Sequence, residues 1–262
     1  MKLTQIIEES YANVNAETVR FLHTSKYTKK ILDAYKAFLA ISKAMDNKAG
    51  FLKNVQKYIG TTDTSIYSQE DITAFCFQLE SFESYPVFYT TGNFLSQLIN
   101  DHYKITHEEK EYILVTNHLR EKMYYLCEEN NGANIRVRGS AGPFFGTRMK
   151  EGTIILEGNS ESHLGNLMEG GTIQVLGDGG TSCGDQLFGG NITIEGDVKN
   201  LIAQNMFGGV IEVKGHVGTD IGINMRGGLL KFHEDITGKI SHSINTRDPP
   251  CASIQVNGKR II

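Results

Sequence analysis

Gly152-Thr-Ile154-Ile-Leu156-Glu-Gly158 is answered nineteen residues later by Gly171-Thr-Ile173-Gln-Val175-Leu-Gly177, and then by Gly190-Asn-Ile192-Thr-Ile194-Glu-Gly196 and Gly209-Val-Ile211-Glu-Val213-Lys-Gly215. Gly228 continues the first glycine column and Gly139 begins the second, with no insertion to disturb the register. Between the glycines, Ile135, Ile154, Ile173, Ile192, Ile211 and Leu230 fall in one apolar column. Two residues on, Val137, Leu156, Val175, Ile194, Val213 and Phe232 fall in another. Apolar residues two apart, most of them β-branched, make a strand with one buried face. A third column (Phe145, Leu164, Cys183, Ile202, Ile221) and a fourth (Met149, Met168, Leu187, Met206, Met225) keep the same period.

No single repeat of this kind can bury its apolar side, so a fixed period points to a solenoid in which each repeat is one rung. Stacked at the strand spacing of about 4.8 Å, six or seven rungs make a column on the order of 30 Å tall. The Gly-Gly pairs at 170/171, 189/190, 208/209 and 227/228 fit corners, where a Cβ would strike the neighbouring rung. The Met column reads as core packing.

The runs Gly165-Asn-Leu-Met168-Glu-Gly-Gly171-Thr-Ile-Gln-Val-Leu-Gly177 and Met206-Phe-Gly-Gly209-Val-Ile-Glu-Val-Lys-Gly215 resemble the GXGXG repeat. That repeat forms the C-terminal domain of the large chain of glutamate synthase. It also forms one component of formylmethanofuran dehydrogenase and of the related bacterial formyltransferase/hydrolase complex. The resemblance spans Gly132 to Gly258 and implies a right-handed parallel β-helix with a structural role. In those relatives the flavin, iron-sulfur, tungsten, molybdenum or glutaminase chemistry sits elsewhere. Met1 to Glu129 has no counterpart in the resemblance.

Glycine divides the chain, since of 28 only Gly50, Gly60 and Gly92 precede residue 132. The expected organisation is an α+β multidomain protein: an α-helical domain over 1–130, then a right-handed parallel β-helix of 19-residue rungs over 131–262. In the first part Ile31, Tyr35, Phe38, Ile41 and Met45 stand three and four apart and predict a helix over Tyr27 to Met45. Shorter helices are expected over Asp71 to Phe82 and Phe94 to Tyr103, punctuated by Tyr85-Pro86 and Gly92-Asn93. A capping box of Thr106 and Glu109 predicts a last helix from Glu108 to about Glu128, stopped by Asn131-Gly132. That helix is expected to cap the column over residues 106–130, laying Met123, Leu126 and Cys127 on Ile135, Val137 and Phe145. The earlier helices are then free to bind a partner, and Phe232 with residues 252–258 closes the other end as an irregular rung.

At 262 residues and 40% apolar content the chain can bury a core in each part. A formal charge of −4 offers no basic surface for nucleic acid. Met1 to Tyr11 mixes Lys, Gln and Glu among apolar residues, unlike a signal peptide, and no apolar run approaches the length of a membrane span. A cytoplasmic location is expected. Cys76, Cys127, Cys183 and Cys251 are scattered, without a Cys-x-x-Cys pair, and read as buried free thiols rather than a zinc site or disulfide framework.

One polar column could carry chemistry: Asn159, Asp178, Asp197, His216 and Asp235, at the position of the repeat that comes after the second glycine. Stacked about 4.8 Å apart, these groups could form a metal or proton site. The plainer reading, a solvated polar corner, is preferred because Asp and Asn favour turns after glycine. His23, His102, His107, His118, His163, His233 and His242 show no ligand spacing. Ser140-Ala-Gly142 and Gly177-Asp-Gly179-Gly180 lack the helix and the Lys-Ser/Thr of a phosphate loop. No catalytic, cofactor-binding or metal-ligating residue is assigned, and no cofactor is expected.

The expected role is that of a non-catalytic structural, assembly or protein-interaction protein, with a protein partner or self-association and neither nucleic acid nor membrane. The resemblance offers an alternative, an accessory subunit of a glutamate synthase-like amidotransferase or a formylmethanofuran dehydrogenase-like complex. A polysaccharide-acting β-helix enzyme is disfavoured, because the uninterrupted period leaves no loops to wall a groove. A hexapeptide acyltransferase is disfavoured because the apolar positions keep no six-residue period.

Overall fold

A computed structural model describes residues 26–42, 67–82, 85–107, 109–246 and 251–262. The Met1–Tyr11 segment, His23 and the Met45 end of the first expected helix lie outside them.

The apolar columns build one sheet whose strands follow chain order: β1 (Tyr112–Val115), β2 (Asn131–Arg138), β3 (Glu151–Leu156), β4 (Thr172–Val175), β5 (Asn191–Ile194), β6 (Val210–Val213), β7 (Gly228–Phe232), β8 (Ala252–Val256) and β9 (Lys259–Arg260). Strands β1 to β8 pair in parallel, and β9 turns back antiparallel on β8. Each pairing puts like on like: Ile154 on Ile173, Ile192 and Ile211 in succession, then Leu230 and Ile254. These residues are fully buried, as are Leu156, Val175, Ile194 and Val213. Burying one such side chain stabilises by about 1.5–3 kcal/mol, so the ladder is the main cohesive element of the column. The chain is a β-solenoid, with Phe145, Leu164, Ile202, Ile221 and the Met column closing its interior.

The side opposite the sheet has an unusual backbone. In successive turns Phe144, Gly146 and Arg148, then His163, Gly165 and Leu167, then Ser182, Gly184 and Gln186 have positive φ at every second residue. Their N–H groups point alternately up and down the column. Those of His163 and Leu167 donate to Thr181 O (2.9 Å) and Asp185 O (3.0 Å) on the next rung, while that of Gly165 donates to Phe145 O (2.9 Å) on the previous one. This side is therefore bonded in both directions without being a pleated strand. The middle position is glycine for a second reason: a Cβ on Gly146 would lie 2.5 Å from Ile173 Cδ1, and one on Gly165 2.5 Å from Ile192 Cδ1.

The column begins one turn before the boundary expected at residues 130 and 131. The helix expected over 108–128 is not formed; Tyr112–Val115 is instead the first strand, pairing Tyr112 with Ile135 and Leu114 with Val137. The reason is local: Tyr112, Ile113, Leu114 and Val115 are aromatic or branched, with Tyr112 and Leu114 buried on one face. Thr106 caps nothing; it ends the preceding helix, its hydroxyl donating to His102 O at 2.9 Å. Met123, Leu126 and Cys127 are buried as expected, as part of the first turn rather than of a helix.

Among the described residues three helices close this end: α1 (Lys26–Ser42), α2 (Gln69–Gln78), continued by a 3₁₀ turn over Leu79–Phe82, and α3 (Tyr85–Thr106). A capping box starts α2, with Ser68 Oγ accepting from Asp71 N–H and the Asp71 carboxylate accepting from Ser68 N–H. Tyr35 of α1 binds the helices together, its ring 5.2 Å from Phe75 and 5.1 Å from Phe94 and its hydroxyl bonded to Thr91. The helical core runs into the column interior without a break.

The cap also bonds the exposed edge of β1, which would otherwise present a row of open carbonyls. Two residues of α2 do this: Gln69 Nε2 donates to Lys110 O (2.6 Å) and Thr73 Oγ1 to Ile113 O (2.7 Å). Helix α3 fastens the following corner. Ser96 Oγ accepts from Glu128 N–H (3.1 Å), Asn100 Nδ2 donates to Glu128 O (3.1 Å), and Asn93 donates to the Glu128 carboxylate, which also pairs with Arg148. Gly92, expected to break the helix, lies within it. A Cβ there would strike the Tyr124 carbonyl and lie 2.9 Å from Leu126 N, so glycine permits the close approach. At the far end Asn257 and Gly258 (φ 49° and 73°) turn the chain into β9, whose exposed Lys259 and Arg260 charge the last edge. Among the described residues no helix is long and apolar enough to cross a membrane.

Candidate functional site

The polar column singled out in the sequence lies along an exposed corner. Asn159, Asp178 and Asp197 each bond the backbone one rung on, as Ser140 does before them: Ser140 Oγ accepts from Asn159 N–H (3.1 Å), Asn159 Oδ1 from Asp178 N–H (2.9 Å), Asp178 Oδ1 from Asp197 N–H (2.9 Å), and Asp197 Oδ1 from His216 N–H (2.7 Å). The preceding glycines complete the device. A Cβ on Gly177, Gly196 or Gly215 would collide with the Oδ1 of Asn159, Asp178 or Asp197 on the rung below. The repeated Gly-Asx pair is thus a side-chain ladder that replaces strand pairing at the corner. Asp235 lies outside the chain of bonds and accepts from Asn257 Nδ2 (2.7 Å).

Three of the remaining histidines, His102, His118 and His163, are separately engaged. His102 is buried between the Tyr112 hydroxyl (2.6 Å) and Tyr67 O (2.8 Å); His118 lies against Phe77, and His163 stacks on Phe144. Among the described residues no group of three or more His, Cys, Asp or Glu is placed to hold a metal ion. Burial pushes the Cys76 and Cys183 thiols up to about 12 and raises Cys127 further, which keeps all three protonated and unreactive near neutral pH. Cys251 alone is exposed, where a buried thiol was expected.

The outer face of the sheet carries two charge clusters. At the cap end Arg136 pairs with Glu111 (2.8 Å) and Glu157 (3.4 Å); the hydrogen bond to Glu111 raises its pKa against the opposing effect of burial. At the other end Glu212 meets His233 (2.7 Å), Lys214 (3.6 Å) and Lys231 (3.9 Å). Burial pulls the Glu212 carboxyl up, but the His233 hydrogen bond and the two lysine charges outweigh it and hold its pKa below the ordinary value.

Two aromatic ladders went unread in the sequence. Tyr125, Phe144 and His163 stack on the side of alternating φ, with centroids 4.8 and 4.6 Å apart. Phe188 and Phe207 stack at 4.8 Å on the corner before the Gly-Gly pairs, and the Arg226 guanidinium lies 4.9 Å above Phe207. Phe188 is 50% exposed, the largest apolar side chain so placed among the described residues. The signal was present, since Phe188, Phe207 and Arg226 keep the 19-residue period.

These features define a β-solenoid with a bonded helical cap and an exposed aromatic strip. Comparison with protein-family models and with curated proteins found no match.

Proposed function

We propose that this chain is a non-catalytic assembly or protein-interaction module: a right-handed β-helix of the GXGXG type, stiffened at one end by its helical cap and working in the cytosol. The observation that supports this reading is how the walls are used. From β3 to β7 the rungs keep one period, and the polar residues on the corner are committed to bonding the next rung. Catalytic sites need a recess with converging groups. A regular column offers instead a rigid, pre-ordered face, which lowers the entropic cost of docking. The partner is a protein or a second copy; a net charge of −4 favours neither nucleic acid nor an anionic membrane surface.

The GXGXG-like runs at 165–177 and 206–215 favour a more specific form of the same role. In it the chain is the accessory subunit of an amidotransferase or formyl-transfer complex and is inactive alone. Sizing the native particle from the source cell tests the proposal. A stoichiometric particle larger than the 29.1 kDa chain is expected. A particle of monomer size, with an enzymatic activity lost on changing Asp178, Asp197 and His216, would overturn it.

A further inference from the structure

The exposed strip before the Gly-Gly corners has an order of its own. One residue per rung reads Glu169, Phe188, Phe207, Arg226: acid, aromatic, aromatic, base. The steps are equal, about 4.8 Å each, so the two charges stand roughly 14 Å apart. Glu169 and Arg226 are exposed, and among the described residues neither has an ionic partner. The phenyl rings stack on each other and Arg226 covers the outer face of Phe207, so the strip offers a neighbour ring edges and tips rather than open faces. That suits another protein surface better than the flat face of a sugar. Beside the strip runs the bare column Gly170, Gly189, Gly208 and Gly227, which lets a partner approach the backbone.

The strip is complementary to itself. A two-fold axis perpendicular to the column, passing midway between Phe188 and Phe207, sets Phe188 against Phe207 and Glu169 against Arg226, each contact occurring twice. The next residues outward, Lys150 and Asn245, also oppose each other without a clash of like charges. A surface of this kind meets the requirement of an isologous dimer, in which the same patch serves both subunits. A partner of different sequence has no reason to need this symmetry.

We propose that two copies of the chain pair through this strip, their columns running in opposite directions. The inference rests on the reading of the chain as an interaction module and commits it to one partner, a second copy. Sedimentation velocity on the full chain, with a thermal melt of each variant to confirm folding, tests it. The wild type is expected to dimerise. Glu169→Arg alone and Arg226→Glu alone should each weaken the dimer about tenfold or more, because the symmetry makes two like-charge contacts from each change. The two changes together should restore it, and Phe188→Ser should abolish it while leaving the melt nearly unchanged. A wild type that stays monomeric up to about 100 µM would overturn the dimer. So would single reversals without effect, or a double variant that fails to recover. A monomeric wild type would leave the reading as a docking module standing, to be decided by native particle size.

Discussion

Gly146 tests whether the interior is packed as described. Its φ is +65°, and a Cβ there would lie 2.5 Å from Cδ1 of Ile173 in the inner ladder. Gly146→Ala therefore meets two penalties. Holding a non-glycine residue in the left-handed region costs about 1–2 kcal/mol. Forcing a methyl group into a filled core costs about 1–3 kcal/mol. A sum near 3 kcal/mol lowers the melting temperature of a protein of this size by roughly 6–12 °C. Ile173→Val removes the obstructing methyl and alone costs about 1 kcal/mol. The double variant should recover most of the packing part, leaving it more stable than the two single losses added together. The chain carries a natural precedent, for this column holds Ala203 (φ 58°), and the ladder residue standing to it as Ile173 stands to Gly146 is Leu230, branched one carbon further out. The assay is a double-mutant cycle by thermal and denaturant unfolding. Strictly additive losses would refute the contact, and an unchanged Gly146→Ala would refute the left-handed turn as well.

Changing Asp178, Asp197 and His216 together to Asn, Asn and Gln preserves the side-chain oxygens that accept from Asp197 and His216, so the melt should shift little; Asp178→Ala with Asp197→Ala should lose about 1–2 kcal/mol by leaving two N–H groups to water alone. Equal losses in both variants would show that the charge, not the acceptor, matters. A chain beginning at Thr106 loses the cover of Gln69 and Thr73 over β1 and should aggregate or oligomerise through that edge; a soluble monomer on sizing would show that β1 needs no cover. Glu212 has a lowered pKa, so its contribution to stability is present above the ordinary glutamate value near 4.3 and fades as the pH falls through its folded value. Glu212→Gln should cost roughly 0.5 kcal/mol at pH 7 and nothing once the carboxyl is protonated, as followed by melts between pH 7 and pH 3; a constant difference across that range would remove the ion cluster from the account.

The sequence disclosed most where one period governed everything. The strands β3 to β7, their inward residues and the glycine corners follow directly from columns nineteen residues apart, because stacking like on like is the only way such rungs bury their apolar faces. The first rung escapes detection because Tyr112 and Ile135 are 23 residues apart, so the period fails there, and no glycine column marks the turn. With β1 read as helix, the role of α2 stays hidden: Gln69 and Thr73 look like ordinary helix residues until an open strand edge lies beside them. Gly92 misleads for a related reason, since a glycine that breaks a helix and one that lets a helix touch a carbonyl look alike in sequence. The polar corner was legible as a corner, but its mechanism was not. That an Asx side chain bonds the next rung, and that the glycine beyond must be bare to admit it, needs the stacked geometry.

The central claim, that the chain is a column with a continuous apolar inside and a solvated outside, is tested most directly at two adjacent residues of β5. Ile192 is fully buried between Ile173 and Ile211, while the neighbouring Thr193 points outward beside Gln174 and Glu212. Ile192→Asp places a carboxyl among aliphatic side chains, and its cost should reach several kcal/mol, a large part of a total stability of roughly 5–15 kcal/mol. Thr193→Asp should cost no more than about 0.5 kcal/mol. Denaturant unfolding of the two variants side by side should show the first close to collapse and the second near the wild type; equal stability would contradict the assignment of inside and outside.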